Sequence, residues 1–248
     1  MPAFNAGRFI EQALWSLLRE RDVVALDIIV IDDGSTDATR DIVAAIARDF
    51  REIRLLQNPR KGIAAARNIG LDSLAGNAEL VTFLDADDLT YPGRIARQQA
   101  RMSANPSIDA LYGLMMMFTI IDEAGLAPAA GSPTKIIRGP YLQSSMYRRD
   151  TFRKVGHFDE SFRQGCDTDY VLRVIERGLK LVLEDELAAY YRRHDANVTL
   201  DTDEVQREFL LASLRWAARN KLKGGGTLPQ IFAELFLRRD QIEKDFDA

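Results

Sequence analysis

Two short apolar runs, each halted by a cluster of aspartates, constrain this chain more than any other feature. Ile28-Ile29-Val30-Ile31 runs into Asp32-Asp33-Gly34-Ser35-Thr36-Asp37, and the stretch from Leu80 to Leu84 runs into Asp85-Ala86-Asp87-Asp88. Apolar runs of this length bounded by turn residues are buried strands. Apolar residues recur at helical spacing before the first run, at Phe9, Ala13, Leu14, Leu17 and Leu18. A further helix is expected after the first run, with Ser35 or Thr36 as its cap, reaching about Phe50. Strand and helix therefore alternate. Alternation of this kind predicts an α/β fold with a Rossmann-like, mainly parallel sheet flanked by helices, whose ligands lie outside the carboxyl ends of the strands. Both aspartate clusters fall on that edge.

The pattern continues along the chain. Arg54 to Leu56 reads as a strand, Asn58 to Gly62 as a turn and Ile63 to Leu74 as a helix. A helix past Pro92 reaches about Asn105, followed by a strand from Ala110 to Ile121 and a Gly/Ala/Pro-rich loop from Gly125 to Pro133 that borders a cleft. Asp167 to Arg177 reads as a helix, Leu179 to Leu183 as a strand, and Ala188 to Arg193 as a strand or loop. Two helices, Asp203 to Lys221 and Leu228 to Lys244, flank a Gly224-Gly225-Gly226 hinge. The expected organisation is one domain over residues 1–200 and a helical carboxyl-terminal extension over 201–248.

Composition narrows the function classes. With 248 residues and 46% apolar content the chain can bury a sizeable core. A formal charge of -4 provides no overall basic field, so nucleic acid is not an expected partner. The single cysteine, Cys166, excludes an internal disulfide framework and a multi-cysteine zinc site. The longest apolar stretch is about 12 residues against the roughly 20 that span a bilayer. No basic segment followed by an apolar run opens the chain, so no cleaved secretion signal is expected. The expectation is a cytoplasmic protein. Peripheral attachment at the inner membrane face through Leu228 to Leu237, beside Arg238 and Arg239, is the alternative to a helix packed on its own domain.

Carboxylates two residues apart at a strand end, as in Asp85-Ala86-Asp87, can face one mouth of the sheet. They suit Mg2+ or Mn2+, which takes one or two carboxylates while phosphate oxygens and water complete its shell. A D-x-D triplet alone is also what a solvated turn contains. Asp32-Asp33 shifts that balance, because it opens on the same edge, where one carboxylate can accept from a base N–H. Converging carboxylates repel unless a cation or donor joins them, and Lys61, Arg67 and Asn68 are the nearby candidates for part of that role.

In sequence order, Pro2-Ala3-Phe4-Asn5, Ile28 to Asp37, Gly62-Ile63-Ala64-Ala65-Ala66-Arg67-Asn68, Phe83 to Asp88, Val155-Gly156-His157-Phe158-Asp159-Glu160 and Tyr191-Arg192-Arg193-His194 resemble the family 2 glycosyltransferases of GT-A fold. The resemblance covers roughly residues 1 to 200. It implies an inverting, metal-dependent transfer of sugar from a nucleotide-sugar donor to an acceptor hydroxyl. The donor site it implies comprises Pro2, Phe4, Asn5, Asp33, Lys61, Arg67 and Asp85. Phe4 would lie against the nucleobase, Asp33 would bind its edge, and Asp85 would reach the ribose or the metal shell. Asp87 would hold Mn2+ or Mg2+, with His194 reaching the metal or diphosphate. A lone histidine is usually structural, so His194 rests on the resemblance alone. The family's catalytic base matches Asp167 in Cys166-Asp167-Thr168-Asp169.

Two features depart from the family. Cys166 stands where a glutamate is usual, which either removes a charge that bears on acceptor binding or base tuning, or leaves an inert small residue there. The chain opens directly on Pro-Ala-Phe-Asn, where the family carries a preceding strand, so neighbouring strands are expected to lose hydrogen-bond partners. The same motifs suit two other readings, a noncatalytic sugar-nucleotide or protein-binding module and a nucleotidyltransferase. Glycan, lipid-linked and protein acceptors, including cell-envelope polysaccharide, all remain open.

Overall fold

The expected alternation builds the amino-terminal half of the computed structural model, which describes residues 1–222 together with Ile231, Glu234 and Leu235. Strands β1 (Pro2–Ala3), β2 (Ile28–Asp32) and β3 (Ile53–Gln57) pair in parallel, in that spatial order. Helix α1 (Ile10–Leu18) buries Ile10, Ala13, Leu14, Leu17 and Leu18, while α2 (Thr39–Asp49) buries Val43 and Ile46. Both apolar stripes join β2 and β3 in one core. Helix α3 (Ile63–Asp72) presents Ala64 to Ala66, whose small side chains let it lie close to the sheet.

The second sheet, of order β4-β10-β6-β11-β5, is mixed in direction. Its strands are β4 (Leu80–Thr82), β5 (Leu89–Thr90), β6 (Ala110–Phe118), β10 (Ser145–Arg148) and β11 (Leu181–Arg192). Only β6 and β11 pair in parallel within it; β9 (Thr134–Ile137) joins β6 antiparallel. The α/β class stands, but parallel pairing dominates only through β3. Helix α4 (Arg94–Ala104) follows β5, and a short hairpin pairs β7 (Ile121–Asp122) with β8 (Ala127–Pro128), the latter inside the expected 125–133 loop.

Several boundaries differ from the sequence expectation. The expected strands 179–183 and 188–193 are a single strand, β11, with register irregularities between Leu183 and Ala189. The charged Glu184-Asp185-Glu186 interrupts its apolar pattern without ending it. Helix α2 starts at Thr39, and neither Ser35 nor Thr36 caps it. Asp37 Oδ1 accepts from the Thr39 N–H at 3.0 Å, while Ser35 Oγ accepts from Asn5 N and the Thr36 N–H donates to Asn5 Oδ1. Of the partners expected to be lost, Met1 to Ala3 supply those along the end of β2, whereas β4 pairs with β10 alone among the described residues. The Met1 amino group donates to Ile29 O at 2.8 Å, Ile31 N to Met1 O and Asp33 N to Ala3 O.

An aromatic cluster then fixes the element that matters most for the site. Helix α5 (Arg149–Val155) carries Phe152 to Tyr170 of α6 (Cys166–Glu176), with ring centroids 5.4 Å apart, and Phe158 lies 4.4 Å from Tyr170. These rings are buried with Tyr112 and Tyr147, whose hydroxyls bond to each other. Burying such side chains stabilises each by roughly 1.5–3 kcal/mol, enough to pin α6 against β6 and β10. The expected first helix of the extension is α7 (Thr202–Leu222), whose Ala212 is buried in the same cluster. The Gly224 to Gly226 hinge lies outside the described residues. So does the Leu228 to Lys244 helix apart from Ile231, Glu234 and Leu235, of which Leu235 joins that cluster. No helix among the described residues is long and apolar enough to cross a membrane.

Candidate active site

The first aspartate cluster divides its labour. Asp32 is buried at the end of β2 and closes the turn on itself, accepting from Gly34 N at 3.2 Å and Ser35 N at 3.1 Å. Asp33 faces outward. Its two carboxylate oxygens accept from Gly62 N at 3.0 and 2.9 Å, and Oδ1 also accepts from Asn58 Nδ2 at 2.7 Å. Gly34 has φ 84° and Gly62, at the start of α3, φ 96°, values that residues with a Cβ adopt only under strain. Lys61 folds across this turn and donates from Nζ to the Asp33 carbonyl at 2.6 Å. Phe4 is 59% exposed beside it, whereas Pro2 is buried in β1 and Asn5 spends its side-chain oxygen on Thr36.

Arg67 organises the second cluster. Only 3% exposed, it emerges from α3, donates from Nη1 to Asp167 Oδ1 on α6, and donates from Nη2 to Asp85 Oδ1 at 3.2 Å. Burial opposes its charge, but the carboxylates of Asp167 and Asp85 and the neighbouring Cys166 hold its pKa above the usual arginine value. The other Asp85 oxygen accepts from Gln143 Nε2, in the short turn before β10. Burial, with the adjacent Asp87, pushes Asp85 up to about 6 despite Arg67. Sequence reading missed Gln143. Cys166 is fully buried with Sγ 3.1 Å from Arg67 Nη1, and burial pushes its thiol well above the ordinary range, so it is a poor nucleophile. Asn68 turns away to Phe158 O and Glu160 Oε1.

Removing the Arg67 charge should be costly. Arg67→Met leaves Asp85 and Asp167 facing each other without their shared partner, and loss of one member of a buried ionic group typically costs about 3–5 kcal/mol. A urea denaturation midpoint within error of wild type would contradict this account of the pair.

Asp87 Oδ2 meets His194 Nε2 at 3.0 Å. His194 Nδ1 accepts from Ala196 N at 3.2 Å, while Nε2 faces both Asp87 Oδ2 and, at 3.0 Å, Asn197 Nδ2. The histidine ring packs on Phe9 at 4.4 Å, and Asn197, another residue the sequence did not single out, takes the His194 N–H on Oδ1 at 2.7 Å. Asp88 is fully buried, accepts from Arg192 N at 3.0 Å and has no partner for Oδ2 among the described residues. Burial, then Asp87 and Asp85, raise it well above the usual carboxylate range. Three crowded carboxylates with Oδ2 of Asp87 and Nε2 of His194 converging fit a divalent cation, which relieves the repulsion and replaces the shared proton. Among the described residues no group of three or more His, Cys, Asp or Glu is arranged to hold an ion alone. Asp87 and His194 would therefore supply part of the shell, with phosphate and water supplying the rest.

Hydrogen bonding thus brings Asp85, Arg67 and Asp167 together and, separately, Asp87 and His194. Asp85 and Asp87 join the two groups through the short segment between β4 and β5 that carries both. Asp33 and Lys61 form a neighbouring patch through Gly34 and Gly62.

The family model of glycosyl transferase family 2 matches residues 1–163. A GalNAc(5)-diNAcBac-PP-undecaprenol beta-1,3-glucosyltransferase of Campylobacter jejuni is 38% identical over 98 residues, covering 39% of this chain and 31% of the relative. The chain spans between 12% and 63% of the length of the curated relatives it matches. Among solved structures, S. aureus TarS 1-349 in complex with UDP-GlcNAc superposes with a TM-score of 0.70 at 21% identity, over 96% of this chain and 70% of that one. The mannosyltransferase PcManGT from Pyrobaculum calidifontis, in complex with GDP-Man and Mn2+, gives 0.67 at 18% identity, over 94% and 66%. At such identities these two establish the fold. With the family model covering well over half of its residues, the chain belongs to glycosyl transferase family 2.

Proposed function

We propose that this chain moves a sugar from a nucleotide-sugar donor to an acceptor hydroxyl, with inversion at the anomeric carbon and dependence on a divalent cation. The observation that carries the reading is the Arg67 bridge, which sets a donor-side carboxylate, Asp85, beside a carboxylate from a different element, Asp167. In this reading Phe4 covers the nucleobase, Asp33 takes its edge, Lys61 and Arg67 contribute positive charge, and Asp85 reaches the ribose or metal shell. Pro2 and Asn5 act through the backbone they hold.

Asp87 and His194 hold the cation. A mixed oxygen and nitrogen donor pair suits Mn2+ better than Mg2+, which prefers oxygen alone. When bound, the ion neutralises charge on the departing diphosphate. Asp167 accepts the proton of the acceptor hydroxyl as that oxygen bonds to the anomeric carbon. The bond from that carbon to the diphosphate oxygen breaks on the opposite face, and a nucleoside diphosphate leaves. The nucleotide sugars held by TarS and PcManGT and the Mn2+ held by PcManGT support this donor chemistry. The undecaprenol-linked name of the Campylobacter relative supports a glycan or lipid-linked acceptor.

A screen of sugar nucleotides for nucleoside diphosphate release with Mn2+ tests the proposal. Release should occur with one donor or a small set and stop on chelation. Tight donor binding without release in the presence of candidate acceptors would favour the noncatalytic reading, and diphosphate release from a nucleoside triphosphate would favour a nucleotidyltransferase.

A further inference from the structure

The helical extension reaches the turn that launches α6. Glu208 of α7 is only 4% exposed, and its carboxylate accepts three consecutive backbone N–H groups, from Arg163 at 2.8 Å, Gln164 at 2.6 Å and Gly165 at 2.5 Å. Gly165 is the residue just before the first turn of α6, where backbone donors have no intrahelical partner. Asp167 is the second residue of that helix. Burial alone would raise the pKa of Glu208. The three N–H bonds outweigh it and keep the carboxyl below its ordinary range. The anion also sits at the positive end of the helix dipole, which favours it further.

A second observation points the same way. Gly165 has an ordinary φ of -82°, so backbone conformation does not demand glycine there. A Cβ at this position would lie 2.9 Å from Glu208 Cβ and 3.3 Å from Oε2. Glu208, together with Phe162, whose Cδ1 would lie 3.2 Å from that Cβ, excludes a larger residue. The same helix grips α6 at its far end, where Arg219 Nε donates to Glu176 Oε2 at 2.7 Å. It also holds the preceding loop, through Arg215 Nη1 on Asp159 Oδ2 at 2.7 Å.

We propose that Glu208 is a positioning residue for the transfer reaction: by holding the 163–165 turn from the carboxyl-terminal helix, it sets where Asp167 stands against Arg67 and the acceptor. The inference rests on the reading of Asp167 as the base. Glu208→Gln keeps the shape but offers a single acceptor oxygen to three N–H groups, and Glu208→Ala offers none. Misplacing a reacting group by about 1 Å can cost about 100-fold in rate. In the full chain, kcat should fall about 100-fold for Glu208→Ala and less for Glu208→Gln, while the Kd for UDP with Mn2+ stays within about 2-fold, because no donor-side residue touches Glu208.

Amide hydrogen exchange supplies the arm that does not depend on activity. Protection at 163–165 should drop in both variants while that of β2 and α3 is retained. A folded Glu208→Ala chain with wild-type kcat, or with unchanged protection at 163–165, overturns the proposal. A parallel fall in kcat, donor affinity and β2 protection would also overturn it, as the mark of general destabilisation. If the wild-type chain releases no nucleoside diphosphate from any donor, the functional reading fails, and the exchange arm still decides whether Glu208 holds the turn.

Discussion

Asp167→Asn is expected to bind a sugar nucleotide and Mn2+ as the parent does and to transfer sugar about 10³- to 10⁴-fold more slowly. The argument is geometric before it is electrostatic. The Asp167 side chain is partly exposed, and one of its oxygens is taken by Arg67. The remaining oxygen is available to an incoming hydroxyl. An asparagine preserves the volume and can still accept from Arg67, so the helix start and the donor pocket should survive. What it loses is the capacity to take a proton. Single-turnover measurements at saturating donor separate the two effects. A variant with kcat near wild type would remove Asp167 from the mechanism.

Asp87→Ala should have the opposite profile, with Mn2+-dependent donor affinity weakened about 100-fold or more, since losing even a supporting interaction around a metal typically costs 10–100-fold. His194 alone cannot replace the missing oxygen ligand. Fold stability provides the control. Asp87 is among the causes that raise Asp85 and Asp88, so its removal relieves repulsion that offsets the lost bond to His194, and the metal-free variant should melt close to the parent. Titration calorimetry with UDP and Mn2+ measures the loss. Equal affinity for the two proteins would exclude Asp87 as a ligand.

Sequence patterning carried the first half of this fold well because local period and strand-end chemistry agree there. The first apolar run is a strand stopped by aspartates, the second is a strand over Leu80–Thr82 that ends two residues short of its aspartates, and the helix carrying Arg67 begins at a glycine with positive φ. The second half was less legible for identifiable reasons. Strand direction depends on how distant segments return, so nothing within Ser145 to Arg148 marks it as antiparallel to both β4 and β6. The bulged β11 hides its continuity behind three consecutive acids. Charge inventory pointed to Arg67 as a counterweight, yet its shared pairing with Asp85 and Asp167 spans 18 and 100 positions along the chain. Gln143 and Glu208 carried no local signal at all. An amide in a serine-flanked turn and an acid on an amphipathic helix are ordinary surface residues until tertiary contacts bury them.

The three hydrogen bonds already on the Asp33 carboxylate have a consequence for base selection. A carboxylate presents about four lone-pair positions, and Gly62 and Asn58 already engage three, as counted by hydrogen bonds. A pyrimidine imide or a purine lactam edge arriving there finds room for one N–H, which both possess. On the reading that Asp33 meets the nucleobase, this contact registers that a base has docked and is blind to which one, so discrimination between uridine and guanosine donors must be enforced by the walls around the ring.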